Sequence, residues 1–307
     1  MLSELPFEVP AYLLERAKLV KPARTAVAGA DTALAIESVR AATEAGVIEP
    51  IMVGDETRIR DLADAQDWDI SAFEIIAADS ETDSSAKAVE QARCGAASAL
   101  MKGHVHTDAL MRAVVNKETG LRMGRRLSHV FHMTIPGSDQ VLHITDAAVN
   151  VAPDANTMIH IINNAAELAR ALGTAVPKVA VLSASETPLP AMPSSLQARE
   201  VVERALTEVA DAVVGGPFAF DNAVSPAAAA LKGIDHPAAG NADILVVPNI
   251  ETGNCLFKMM AWFMSATAAG IVMGATVPIV LTSRADPPEA RLAAAIIAAV
   301  LADTKAR

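Results

Sequence analysis

With 307 residues and a formal net charge of −11, the chain lacks the basic face that displaces counterions from nucleic-acid phosphates, which excludes a general nucleic-acid binder. It is 52% hydrophobic but only 3% aromatic, enough apolar surface to exclude disorder and to favour close helix–sheet packing. Cys94 and Cys255 lie far apart with no CxxC, so neither a disulfide framework nor a zinc ribbon is expected, and a reducing cytoplasm fits.

The N-terminal stretch MLSELPFEVPAYLLERAK is mixed and acidic early, unlike a secretory signal. Strands are expected at 24–28, 50–53, 74–77 and 98–101, alternating with helices near 32–45, 56–66, 83–96 and 107–117. Strands at 129–135 and 141–145 flank Pro136-Gly137-Ser138-Asp139-Gln140, whose turn chemistry predicts an antiparallel hairpin. Further strands at 178–183, 212–214, 243–247 and 277–282 alternate with helices near 155–172, 195–209, 223–232, 251–270 and 287–303. Asp31 and Asp154 suit N-caps, and Gly46 and Gly173 suit the residue after a helix. Runs 24–28, 178–183 and 243–247 are apolar without alternation, as in sheets covered on both faces. The alternation predicts a doubly wound α/β architecture with mainly parallel sheets, and the hairpin marks a domain boundary near residue 127.

No charged residue occurs from Met259 to Ser283, a length that can cross a bilayer. Gly270, Gly274 and Pro278 interrupt it, and it divides into a helix and the strand Val277-Pro278-Ile279-Val280-Leu281. A buried helix–strand pair is expected, and no membrane partner.

In doubly wound folds ligands sit beyond the carboxyl ends of strands, and three clusters fall there. Lys102-Gly103-His104-Val105-His106-Thr107-Asp108 follows the fourth strand, with Arg112 one turn into the next helix. A glycine admits a ligand close to the backbone, and a helix N-terminus offers N–H groups to an anion. Thr107 or Asp108 would serve equally as a plain N-cap, and the His104/His106 spacing invites a metal that no neighbouring Cys or carboxylate pair supports. Pro248-Asn249-Ile250-Glu251-Thr252-Gly253-Asn254, with Lys258 beyond, offers carboxamides, backbone donors and a cation for phosphate groups, or simply a turn with a cap. Thr282-Ser283-Arg284-Ala285-Asp286 places a hydroxyl and a guanidinium where they can grip a phosphate, although a surface ion pair of Arg284 with Asp286 or Glu289 is the plainer alternative. Asp146, Asn150 and Asp221 are weaker candidates. Val27-Ala28-Gly29-Ala30-Asp31 is one glycine short of a dinucleotide fingerprint.

Together these clusters resemble the phosphate acetyl/butyryl transferase family along nearly the whole chain. ADILVVPNIETGNCLFK (242–258), FHMTIPGSDQVLHITDAAVN (131–150) and PIVLTSRAD (278–286) carry the likeness, and MKGHVHTDALMRAVVNKETGLR (101–122) resembles the butyryl branch in particular. The resemblance implies acyl-CoA + phosphate ⇌ acyl phosphate + CoA, with coenzyme A as substrate, no permanently bound cofactor and no metal. It implies two α/β domains, residues 1–127 plus 276–307 and residues 128–275, with an interdomain cleft. A homodimer and an acetate or butyrate kinase as pathway partner are implied as well. Ser283 and Arg284 match the active-site Ser-Arg pair and Arg112 a substrate-binding arginine. With Thr107 these are expected to meet phosphate, and Asn249, Gly253, Asn254 and Lys258 to meet coenzyme A or phosphate. The chain lacks an extra arginine-bearing segment that the acetyl enzymes insert before the first cluster. Ala290 also stands where they place an aspartate credited as base, which favours the butyryl-type branch and leaves the base open. A decarboxylating hydroxyacid dehydrogenase of similar architecture needs metal-spaced aspartates that are missing, and a non-catalytic CoA- or acyl-phosphate-binding regulator stays open.

Overall fold

The computed structural model describes residues 2–283 and 285–306. The chain begins with α1 (Ala11–Ala17) and runs through β1 (Ala23–Ala28), α2 (Ala33–Glu44), β2 (Ile48–Gly54), α3 (Glu56–Asp64), β3 (Glu74–Ala77), α4 (Glu81–Arg93), β4 (Ala99–Lys102) and α5 (Thr107–Val114). Each expected strand and helix of this stretch is present. α1 was not expected, being too short to declare a period, and it is fixed by burial of Leu13 and Ala17. α2 is capped by Thr32, whose side chain accepts from Ala35 N, and not by Asp31, whose carboxylate accepts instead from Asp55 N.

The hairpin follows as β5 (Ser128–Thr134) and β6 (Val141–Thr145), antiparallel from Val130↔Thr145 to Thr134↔Val141. Then come α6 (Ala155–Ala171), β7 (Lys178–Leu182), α7 (Pro193–Glu208), β8 (Val213–Phe218), α8 (Phe220–Val224), α9 (Pro226–Leu231), β9 (Ile244–Val246) and α10 (Ile250–Met264). Asp154 caps α6 as expected, accepting from Thr157 N at 2.7 Å. Gly46 and Gly173 follow the caps of α2 and α6 with φ of 71° and 102°, a conformation that costs other residues a steric penalty. The single helix expected near 223–232 is two short ones, because Pro226 cannot donate and Ser225 caps the second through Ala228 N.

The remainder is β10 (Thr267–Met273), β11 (Ile279–Val280) and α11 (Pro288–Ala306). Here the expected helix over 251–270 is corrected. α10 stops at Met264, Ser265 turns left-handed at φ 49°, and Thr-Ala-Ala-Gly-Ile-Val-Met forms a wholly buried strand. The alanines favour helix locally, but Ile271 and Val272 pair antiparallel with Val280 and Ile279, and burial in a sheet outweighs propensity. The strand expected at 277–282 is correspondingly reduced to Ile279–Val280.

The chain divides into two compact units, Met1–Pro6 with Arg126–Ala268, and Phe7–Arg125 with Ala269–Arg307. Strands of the unit containing α5 run β3-β2-β1-β4-β11-β10, all parallel except the last pair. Its C-terminal helix α11 is buried along most of its length, from Ala290 to Ala302. Strands of the other unit run β5-β6-β9-β7-β8, all parallel except the hairpin. Its core gathers Phe131, Met133, Ile144, Leu182, Phe218 and Leu245. Among the described residues no helix is long and apolar enough to cross a membrane.

Candidate active site

In the unit containing α5, strand order reverses between β1 and β4, since β2 and β3 extend one way and β11 and β10 the other. Ligand crevices of doubly wound sheets form beyond the carboxyl ends at such a point. β4 and β11 run side by side there, Leu100 beside Ile279 and Met101 beside Val280. The Lys102-Gly103 turn and the Thr282-Ser283 turn therefore leave the sheet as neighbours.

Gly103 is required by close approach. A Cβ at this position would lie 2.4 Å from Gly29 O and 2.8 Å from Ala28 O, inside any allowed contact. The turn after β4 is bonded to the end of β1 through Gly103 N to Ala28 O (2.8 Å) and His104 N to Gly29 O (2.7 Å). The N-cap of α5 is His106, correcting the expectation of Thr107 or Asp108, and Thr107 is the exposed first helical residue. His106 has no side-chain cap bond of its own. Its backbone N–H and Nδ1 both meet the Glu81 carboxylate, at 3.2 and 2.8 Å, and the side-chain bond is the main cause holding Glu81 below the usual carboxylate range. Arg112 is exposed on α5 with no ion-pair partner among the described residues. No group of three or more His, Cys, Asp or Glu side chains among the described residues is placed to hold a metal ion.

Ser283 is exposed, and its turn is tied by three bonds: Ser283 N to Asp286 Oδ2 (2.6 Å), Ala285 N to Ser283 Oγ (3.2 Å) and Asp286 N to Ser283 O (3.2 Å). Arg284 lies outside the described residues. Beneath this turn is a recess whose polar side carries Thr32, Ser38, Lys102, His104, Thr282 and Arg291, with no carboxylate among its described lining residues. Sequence reasoning missed Arg291, which on the helical pattern of α11 is simply the next residue after Ala290.

In the other unit, Asn249 caps α10, its Oδ1 accepting from Thr252 N (3.0 Å) and Thr252 Oγ1 (2.6 Å). Gly253 is buried against the end of β6, where a Cβ would approach Ala147 Cβ to 2.7 Å. Asn254 is half-buried. Lys258 is exposed at the helix surface, with its ammonium 5.9 Å from the Phe257 ring centre, and Phe257 stacks on Phe131. The neighbouring Asp146 is buried, and its two oxygens accept from the backbone N–H groups of His129, Ala148, Val149 and Asn150 and from Asn150 Nδ2. That carboxylate organises the turn after β6.

With this geometry in place, likeness to known proteins decides the family. The phosphate acetyl/butaryl transferase family profile matches residues 76–299. The chain belongs to this family. It is 44% identical to a phosphate acetyltransferase of Rhizobium meliloti over 94% of this chain and 92% of that one. Against a phosphate butyryltransferase of Clostridium beijerinckii it is 37% identical, over 94% and 96%. A branched-chain phosphotransacylase crystal structure from Enterococcus faecalis superposes with a TM-score of 0.78 at 32% identity, covering 91% of this chain and 99% of that one. The acetyl enzyme is the more similar of these two named relatives. Family members of these names are acyltransferases, and this chain is one of them.

Proposed function

We propose that the chain exchanges a short acyl group, acetyl or butyryl, between coenzyme A and inorganic phosphate by direct transfer in a ternary complex. A phosphate oxygen attacks the thioester carbonyl, the C–S bond breaks as the C–O bond forms, and the thiolate leaves to take up a proton. Phosphate dianion is already nucleophilic at neutral pH, so the protein's work is positioning and charge stabilisation. Ser283, Arg284, Thr107 and Arg112 hold phosphate, and Asn249, Gly253, Asn254 and Lys258 meet coenzyme A or its phosphates. What supports this most is the neighbourhood of the Ser283 turn and the Lys102-Gly103 turn at the switch point, over a recess where Val27, Leu34, Ala35 and Met101 meet a polar side of cations, His104 and hydroxyls, with no carboxylate among its described lining residues. Asn249 retains its amide N–H2 for a ligand while its oxygen caps α10.

Release of CoA thiol from acetyl-, propionyl- and butyryl-CoA, followed with DTNB with and without phosphate, tests the reaction. Release that requires phosphate is expected. Phosphate-independent release would make the chain a thioesterase and end the proposal.

The acyl phosphate product places the enzyme beside an acetate or butyrate kinase in the cytoplasm, with no resident cofactor. We also propose a homodimer joined through the unit containing α10. Met259, Trp262, Phe263 and Met264 are 40–61% exposed on that helix, and Leu2 and Leu5 extend the apolar face, tied by Ser3 N to Trp262 O and Ser265 Oγ to Leu5 O. So large a cluster of exposed apolar side chains marks an association surface. Light scattering at micromolar concentration that returns the chain mass of 31.9 kDa would refute the dimer.

A further inference from the structure

Arg291 is 6% exposed, on the first turns of α11 beneath the Ser283 turn. Its Nη1 donates to Asp286 O, and its buried Nε has no hydrogen-bond partner among the described residues. It makes no ion pair with any described carboxylate. A buried guanidinium with an unsatisfied N–H and no ion-pair partner is costly, and an anion within reach of the group offsets the cost.

Arg291 lines the recess under Ser283 together with Lys102, Thr32, Ser38 and Thr282, and Val27, Leu34, Ala35 and Met101 complete the wall. Lys102 is itself buried, its ammonium directed at Gly103 O and Val105 O at 3.5 and 3.4 Å. Two cations and hydroxyl groups, with no carboxylate among the described lining residues, select an oxyanion. The recess has room for little more than one water-sized atom, so it accepts one oxygen of the anion while the rest stays at the mouth beside exposed Ser283.

We propose that Arg291 is a phosphate-binding residue of the transferase site, its guanidinium donating to one oxygen of the phosphate group that is transferred. The inference rests on the acyl-transfer reading above and adds to it a residue outside the Ser-Arg pair. Arg291 then works twice: one nitrogen fixes the turn that carries Ser283, and another holds the nucleophile beneath it. The same donors would suit a phosphate of coenzyme A, and the kinetics distinguish the two sources.

The test uses the full-length protein with inorganic phosphate as probe. Arg291→Met is expected to raise the phosphate KM by about tenfold or more, the usual consequence of losing a charge-assisted hydrogen bond, and to leave the acyl-CoA KM within about twofold. Arg291→Lys keeps the buried charge, but one ammonium cannot hold Asp286 O and a phosphate oxygen together, so its phosphate KM rises by about threefold or more. It carries the test if the methionine variant does not fold. Calorimetric titration of phosphate into each protein without thioester should show the same order of affinities. A phosphate KM unchanged in the variants, or a fall in kcat and thermal stability with no split between the two KM values, reduces Arg291 to a structural anchor and overturns the proposal. A rise confined to the acyl-CoA KM assigns the recess to coenzyme A and overturns it too. Should wild-type protein bind phosphate yet not cleave thioesters, the transferase reading fails while the calorimetry still judges Arg291.

Discussion

Asp286 offers the sharpest test of how the thiol proton is handled. Its Oδ2 accepts from Ser283 N at 2.6 Å, and its own N–H closes the turn onto Ser283 O at 3.2 Å. The carboxylate therefore holds the backbone of Ser283, a task that an asparagine oxygen can also perform. A hydrogen bond to a charged group is worth about 1.5–3 kcal/mol, and the half-buried setting points to the lower end. Asp286→Ala should accordingly lose roughly 10- to 30-fold in kcat/KM, since every 1.36 kcal/mol is tenfold. Asp286→Asn should lose less than about tenfold, because the acceptor survives and only the basicity is gone. The assay is thioester formation from acyl phosphate and CoA, followed by ultraviolet absorbance between pH 6 and 9. If Asp286 were the base for the thiol, both variants would fall equally, by several hundredfold, and both would recover at high pH where the thiol ionises unaided. That outcome would refute the positioning role.

Three further outcomes are expected. Asp146→Ala strands the buried backbone N–H groups of the turn after β6 and should lower stability by about 3 kcal/mol or more, read from the urea midpoint of its unit. Gly103→Ala forces a Cβ to 2.4 Å from Gly29 O, backbone against backbone, and should cost on the order of 2 kcal/mol in thermal stability together with activity. His143, buried with Nδ1 on Asp243 O and Nε2 3.1 Å from His132 Nδ1, is lowered to about pKa 4 by burial, and His132 is lowered in the same direction by burial and then by His143. Between pH 6.5 and 4 the unfolded chain binds the proton that the folded chain refuses, so stability is full above about pH 6.5 and falls by about 3 kcal/mol towards pH 4 from His143 alone; His143→Gln should make that acid limb shallower in equilibrium unfolding, with the share of His132 remaining.

What was legible in the sequence was whatever a local signal fixes. Asp154 announces α6, the Pro-Gly-Ser-Asp loop announces the β5–β6 hairpin, and the apolar run around Ile244 announces a doubly covered strand. Asn249 was legible as a cap for the same reason, an Asx side chain three residues before the N–H that it accepts. β10 was not, because Ala266, Ala268 and Ala269 favour helix locally and only the neighbouring strand makes the stretch extended. His106 as the cap of α5 was hidden too, since its partner Glu81 is 25 residues away and the pairing exists only once α4 and α5 adjoin.

The base problem shows the same division between local pattern and packing. Ala290, expected from the family resemblance to stand where the acetyl enzymes place an aspartate, is fully buried in α11. A carboxylate introduced there would have to lose its water, so Ala290→Asp is no simple restoration of a base. The adjacent Arg291 instead puts a buried positive charge under the Ser283 turn, where it favours an anion at the mouth of the recess. A cation in that place assists the leaving thiolate and the phosphate alike without accepting a proton from either. The proton can then pass between the thiol and the phosphate group itself, which is why loss of the Asp286 carboxylate, with its hydrogen bond preserved by asparagine, should matter so little.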